Sequence, residues 1–172
     1  RIGGSDIMDE SKGIFKALDL AKYLNYLHNE KYGINISPLK LQKILFFLFG
    51  EWGAFVQKAS SDNDGKDLLS FSKYLFDEDI EAWVYGPVVN EVYKKFNNEK
   101  MSESELLTTS DLAYVGHFVK DLALELFELS DFRLVEISHQ MKCWQHAFNP
   151  NEPYHNHKID KDIIINEFAK QE

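Results

Sequence analysis

The chain has 172 residues, which is enough for one domain with a full hydrophobic core and short for two. Hydrophobic residues make up 44% and aromatic residues 14%, and this composition excludes a disordered protein. The net charge of −9 disfavours nucleic acids and membrane surfaces as partners, because an acidic surface repels polyphosphates, and it favours a basic protein. We therefore predict one domain over residues 8–172, with residues 1–7 as a vector-derived remnant before a native start at Met8.

Two further observations concern the compartment. The longest fully apolar run, residues 44–49, is far too short to cross a bilayer, so no membrane association is predicted. Cys143 is the only cysteine, which excludes an internal disulfide and fits a reducing, cytoplasmic location.

The first two predicted elements of the chain are helices, recognised from the helical spacing of their apolar residues. This spacing predicts an amphipathic helix over residues 14–29 that Gly33 ends. Ser37 and Pro38 then mark a second helix start, since serine caps free amides and proline is preset for a first turn. This second helix becomes apolar on all sides over residues 44–49, which predicts a place at the centre of the domain.

The ends of the second helix carry separate predictions. Gly50 is predicted to stop it. Lys40, Gln42 and Lys43 occupy its first turns and are predicted to reach solvent. For the two lysines the alternatives are a solvated turn and a contact to an acidic partner.

A β-hairpin is predicted next, after a polar loop at residues 58–67. Residues 74–76 and 80–85 have weak strand patterns, and the acidic residues Asp77, Glu78 and Asp79 between them are predicted to form the turn. This turn is interpreted as solvated rather than as a pair of catalytic carboxylates.

Aromatic residues follow at the end of the hairpin. Alternation places Trp83 and Tyr85 on one face of the return strand. They either wedge the hairpin against the helices or anchor a protein partner, because tryptophan and tyrosine serve both purposes. Gly86 then permits a sharp turn, and Pro87 is predicted to start a helix with Val88, Val89, Val92, Tyr93 and Phe96 on one face.

The remaining elements are helical. Thr108 with Asp111 resembles a capping box and is predicted to open a long helix to residue 129. A break at residues 130–131 precedes another helix, and residues 149–158 form a loop. Asp160 caps a last helix with Ile163, Ile164 and Phe168 inward. The prediction is a mainly α fold: a single compact helical domain of about six helices with one small β-hairpin.

Enzyme chemistry finds little support in the sequence. The chain has neither a glycine-rich phosphate loop nor a paired-histidine metalloprotease helix. Cys143 shares a helical face with His139 and His146, which permits a Cys/His dyad or metal site, but no orienting third group is evident and a packed thiol is the simpler interpretation. His155 and His157 form a possible zinc pair without a clear third ligand. No catalytic residue, cofactor or metal is therefore predicted.

Several segments resemble one family, the Panacea domain, which includes SocA-type antitoxins and phage-associated proteins. The resemblance is carried by ALDLAKYLNYL at residues 17–27, PLKLQKILFF at 38–47, Phe76, IEAWVYGPVV at 80–89 with Val92 and Tyr93, and Ser138, His139 and Trp144. It extends over about residues 16–168. The chain departs from the family where Lys142 and Cys143 precede Trp144, since relatives often have proline there, and at Phe46 and Phe47, where many relatives have tyrosine.

The resemblance implies a mostly helical antitoxin of a toxin–antitoxin system, without known catalysis. It implies neutralisation of a cognate toxin, encoded by a neighbouring gene, through direct binding. The alternatives are a proteolytic adaptor that delivers a toxin to a cytosolic AAA+ protease, as SocA does, and, less favoured, an enzyme or metal protein. We expect partner contacts from an acidic, aromatic-edged surface near residues 77–85, with Lys40 and Lys43 as further candidates. The family-like residues Ser37, Pro38, Gly86, Pro87, His139 and Trp144 are predicted to serve the fold.

Overall fold

The computed structural model describes residues 12–61 and 71–171. This part of the chain is mainly α-helical with one small sheet, which confirms the predicted fold class. Its helices are α1 (Ala17–Tyr32), α2 (Pro38–Ser60), α3 (Asn90–Lys95), α4 (Glu103–Leu106), α5 (Ala113–Phe127), α6 (Asp131–His139), α7 (Lys142–Ala147) and α8 (Lys161–Lys170). The strands are β1 (Ile80–Trp83), β2 (Gly86–Val89) and β3 (Lys158–Ile159). The predicted remnant at residues 1–7 and most of the predicted loop at residues 58–67 lie outside the described residues.

Helix α2 is the centre of the domain, as predicted, and it begins where predicted. Ser37 Oγ accepts a hydrogen bond from the Lys40 N–H at 3.1 Å, and Pro38 is the first helical residue. The predicted stop at Gly50 is wrong, because the helix continues to Ser60. Gly50 instead lets α8 approach: a Cβ atom there would overlap the ring of Phe168. No described helix is long and apolar enough to cross a membrane.

The hairpin forms from different residues than predicted. Strand β1 pairs antiparallel with β2, with Ile80 opposite Val89 and Trp83 opposite Gly86, so residues 84–85 form the turn. Residues 74–76 form no strand and contribute only an isolated bridge from Phe76 to Phe15. The chain can reverse this early because Gly86 takes a φ of +109°, a conformation that side-chain-bearing residues rarely adopt. Strand β3 completes the sheet on the other side of β1.

Pro87 lies within strand β2 and does not start a helix, so that prediction is wrong. Helix α3 begins three residues later, at Asn90. Proline is tolerated because β2 is an edge strand. The N–H of Val89 points away from β1, towards α2, and position 87 faces the same way by the alternation of antiparallel pairs. The N–H that proline lacks is therefore one that β1 does not need.

Helix starts in the C-terminal half follow capping chemistry, with two differences from the predictions. The capping box uses Ser102 and Glu105 rather than Thr108 and Asp111. Asp160 caps α8 as predicted, accepting from the Ile163 N–H at 3.1 Å. The side chain of Ile163 is exposed, however, since α8 turns Ile164, Ile165 and Phe168 inward. The two helices beyond the six predicted are the short α4 and α7.

Candidate functional site

The free edge of strand β2 is covered by two side chains of α2. Gln42 bonds the backbone of Val89 in both directions, since its Oε1 accepts from the Val89 N–H at 2.8 Å and its Nε2 donates to the Val89 carbonyl at 3.3 Å. The Nζ of Lys43 donates to the Pro87 carbonyl at 2.9 Å. These bonds take the place of a neighbouring strand, so the Gln-Lys pair and the Gly-Pro strand form one structural unit.

Lys43 has a buried amine, which corrects the prediction that it reaches solvent. Its side chain is 0% exposed, and among the described residues its amine donates to a backbone carbonyl. Burial lowers the pKa of its amine to about 7, because the charged form loses its hydration. Gln42 is buried as well, whereas Lys40 is half-buried and donates to the Phe127 carbonyl at 2.9 Å. The amine of Lys43 is therefore a fixed hydrogen-bond donor rather than a flexible surface charge.

Helices α6 and α7 hold the tip of the hairpin from the other side. His139 Nε2 donates to the Val84 carbonyl at 2.9 Å, and Trp144 Nε1 donates to the Trp83 carbonyl at 2.8 Å. A Cβ atom at Gly86 would lie 2.6 Å from Ser138 Oγ and 2.9 Å from Lys43 Cε. The family-like residues from three separate segments thus meet around one turn, where they position the backbone.

An apolar groove of about 540 Å³ opens beside this turn, and we call it the tyrosine groove. Its floor is the first turns of α2, one wall is the hairpin tip with α3, and the other wall is the loop between α7 and β3. Three tyrosines project at its rim: Tyr85 is 67% exposed, Tyr93 is 61% exposed and Tyr154 is 87% exposed. Trp83 packs edge-on against Tyr93, with ring centroids 4.9 Å apart. Exposed aromatic residues around a groove are typical of a surface that binds another molecule.

The structure separates the residues predicted for partner binding. Trp83, Tyr85 and Lys43 line the tyrosine groove. The three acidic residues lie elsewhere and contact the fold: Asp77 accepts from the Gly13 N–H, Glu78 accepts from the Ala17 N–H, and Asp79 pairs with Lys158. Lys40 lies 3.9 Å from Asp131 and is not among the residues that line the groove. The three acidic residues and Lys40 are therefore not among the residues that line the tyrosine groove, and their part in partner binding stays a prediction.

Two rim tyrosines were not predicted as site residues. Tyr93 was predicted on one helical face with Val92, but in the observed helix α3 Val92 is buried and Tyr93, the next residue along the chain, is 61% exposed. Tyr154 follows Pro153 in a loop rich in proline and asparagine. An isolated aromatic residue in such a loop is the sequence signal that could have marked Tyr154 as a candidate binding residue, because turn-forming segments seldom need a large exposed ring.

Cys143 has the properties of a packing residue. Its side chain is buried, and burial raises the pKa of the thiol. The N–H groups of Lys142 and Cys143 both donate to Glu167, which anchors the start of α7. The ring of His139 packs at a tilt against Trp144 and donates to the Val84 carbonyl. The thiol lacks the exposure and lowered pKa that a nucleophile needs.

These features define a class of protein: a mainly α domain in which a central helix covers the edge of a small sheet beside an aromatic groove. Residues 63–145 match the family model of the SocA-like antitoxin, Panacea domain, which confirms the resemblance over those residues. The matched range includes the hairpin, Ser138, His139 and Trp144, and it leaves out the similar segments at residues 17–27 and 38–47. No curated protein and no solved structure matches the chain.

Proposed function

We propose that this protein is an antitoxin that binds a cognate toxin directly and neutralises it in the cytoplasm. The observation that carries the proposal is the match of residues 63–145 to an antitoxin family. Such a protein needs a surface that covers the toxin, and it needs neither a catalytic residue nor a cofactor. The toxin is expected to be the product of a neighbouring gene.

The tyrosine groove is the surface that best suits this role. Tyr85, Tyr93 and Tyr154 present large rings at small entropic cost, and tyrosine is enriched among residues that dominate interface energies. A standard interface covers roughly 800 Å² per partner, so the contact would extend beyond the groove. The net charge of −9 favours a partner surface with basic residues around its apolar contact.

Co-expression with the neighbouring gene tests the proposal. The toxin is expected to arrest growth alone, and the antitoxin is expected to restore growth and co-purify with it. The double variant Tyr85→Ala/Tyr154→Ala should lose both effects. Phe132→Ala is the matched control, since Phe132 is 84% exposed on α6 and is not among the groove residues.

Three outcomes would contradict parts of the proposal. A neighbouring product that is harmless alone and does not co-purify would remove the antitoxin function. Full neutralisation by the Tyr85→Ala/Tyr154→Ala variant would place the interface elsewhere. A toxin whose level falls only in cells with an active AAA+ protease would support the alternative of a proteolytic adaptor.

A further inference from the structure

Three metal-ligating side chains meet in the loop between α7 and β3. One ligand atom from each of Glu152, His155 and His157 lies within 4.8 Å of the others. Glu152 Oε2 is 2.9 Å from His155 Nδ1 and 3.8 Å from His157 Nε2. The two imidazole rings are 5.2 Å apart between centroids. The structure thus supplies the third ligand that the histidine pair lacked in the sequence.

Backbone hydrogen bonds in this loop keep Glu152, His155 and His157 close to one another. The His155 N–H donates to the Glu152 carbonyl at 3.1 Å, which closes a turn between these two residues. Asn156 takes a φ of +51°, so the chain bends sharply between the histidines. The His157 carbonyl accepts from the Ala82 N–H at 2.7 Å, which ties the end of the loop to β1. The arrangement therefore depends on the fold and not on the side chains alone.

We propose that Glu152, His155 and His157 form a binding site for one divalent transition-metal ion, with Zn²⁺ as the best fit. Two imidazoles and one carboxylate are a donor set that zinc takes in proteins, with an open fourth position. Zinc bonds of about 2.0–2.2 Å in a tetrahedron require ligand atoms roughly 3.3 Å apart. The two separations from Glu152, 2.9 and 3.8 Å, lie on either side of that distance, and the two histidine ligand atoms lie within 4.8 Å of each other, so rotation of the exposed side chains would bring the three ligands to one ion.

The site is exposed, and it adjoins the tyrosine groove. All three ligands are exposed, so the fourth position faces solvent and is open to water or to a ligand from another molecule. Pro153, Tyr154 and Asn156 lie between the ligands in sequence and line the groove. A bound ion would hold this wall in one conformation, because it would join both ends of the segment. The inference goes beyond toxin binding and does not depend on it.

Zinc binding to purified protein without a polyhistidine tag tests the inference. Equilibrium dialysis against ZnCl₂ is expected to give one zinc ion per chain. His155→Ala and His157→Ala should each lower the affinity for zinc by roughly 10–100-fold or more, because loss of a residue that only supports a metal ligand already costs that much. His146→Ala is the control, because His146 is an exposed histidine outside the cluster and its loss should leave binding unchanged.

A second measurement distinguishes this site from adventitious binding. Co²⁺ in place of zinc should give the visible absorption of a four-coordinate site, and Glu152→Gln should abolish it. The far-ultraviolet circular dichroism of each variant should match the wild type, because the three side chains are exposed. Equal zinc binding by the wild type and the double variant His155→Ala/His157→Ala would overturn the proposal, as would a cobalt spectrum unaffected by Glu152→Gln.

Discussion

Gln42 and Val89 form a reciprocal pair in which one side-chain amide satisfies both the N–H and the carbonyl of one buried residue. The two residues are far apart in the chain, and the pair joins the central helix to the edge of the sheet. An unpaired strand edge at this position would leave two buried backbone groups without partners. The glutamine is therefore a structural part of the sheet.

Replacing Gln42 with alanine should destabilise the domain substantially. The variant leaves the buried N–H and carbonyl of Val89 without this partner, and each such group costs about 1–3 kcal/mol. We expect the free energy of unfolding in urea to fall by about 2–4 kcal/mol. Gln57→Ala is the control on the same helix, because the bond from Gln57 to Asn166 is exposed and its loss should cost less than about 1 kcal/mol. Equal losses in the two variants would contradict the assignment.

The starts of α2 and α8 could be predicted because they depend on residues next to each other in the sequence. Ser37 and Asp160 accept from amides of the first turn, and Pro38 has the backbone angle that a first turn needs. The hairpin was misplaced because its turn depends on distant residues. A glycine at position 86 permits the observed φ, but only the packing of Ser138 and Lys43 around it shows that a side chain would not fit there. Gly50 was misinterpreted for the same reason, since its role is set by Phe168 from the other end of the chain.

The Gly86→Ala variant tests how tightly the hairpin turn is packed. A methyl group at position 86 would meet Ser138 Oγ at 2.6 Å and Lys43 Cε at 2.9 Å, in addition to the strain of a φ of +109°. Backbone strain alone costs roughly 1–2 kcal/mol, and overpacking adds about 1–3 kcal/mol. The loss should appear as a lower urea midpoint with an unchanged slope.

Gly33→Ala separates these two contributions. Gly33 has a φ of +74°, and no atom lies within 4 Å of a Cβ placed there, so only backbone strain applies. Adding Ser138→Ala to Gly86→Ala should recover part of the lost stability, because the Oγ in the close contact is removed. A Gly86→Ala variant no less stable than Gly33→Ala would show that the contact does not constrain the turn.

Stability should depend on pH through Lys43. The pKa of its amine is about 7 in the folded protein and ordinarily 10.5, so between these values the unfolded chain binds more protons. The free energy of unfolding rises with pH wherever the unfolded state binds more protons than the folded state. Well below pH 7 the amine is protonated in both states, and the pH dependence due to Lys43 ends. The contribution of Lys43 should therefore increase from pH 7.5 to 8.5, by about 1 kcal/mol.

Lys43→Met isolates this contribution, since other groups titrate equally in both proteins. The unfolding free energy of the wild type minus that of the variant should increase over this pH interval. Methionine also matches the length of the lysine stem and removes the titratable amine. Parallel pH profiles for the two proteins would mean that the amine keeps its ordinary pKa and reaches water.

The sequence identified part of the candidate site. Trp83 and Tyr85 were found from their position on a strand, but Tyr93 and Tyr154 join them only through the fold. Exposure is a property of packing: the neighbouring elements bury Val92 on helix α3 and leave the adjacent Tyr93 exposed. The sequence did not group the three proposed zinc ligands for a related reason, because Glu152 becomes a partner of His155 only through the turn between them.

The reactivity of Cys143 decides whether an enzyme based on this residue remains possible. The thiol is buried and its pKa is raised, so little thiolate exists at neutral pH and a reagent cannot reach it in the closed fold. We expect labelling by a disulfide reagent at pH 8 to be limited by opening of the structure and to become independent of reagent concentration at high concentration. The same protein in concentrated urea should react at once, which is the control for thiol integrity. Rapid stoichiometric labelling of the folded protein at neutral pH would contradict the buried assignment and restore the possibility of a Cys/His dyad.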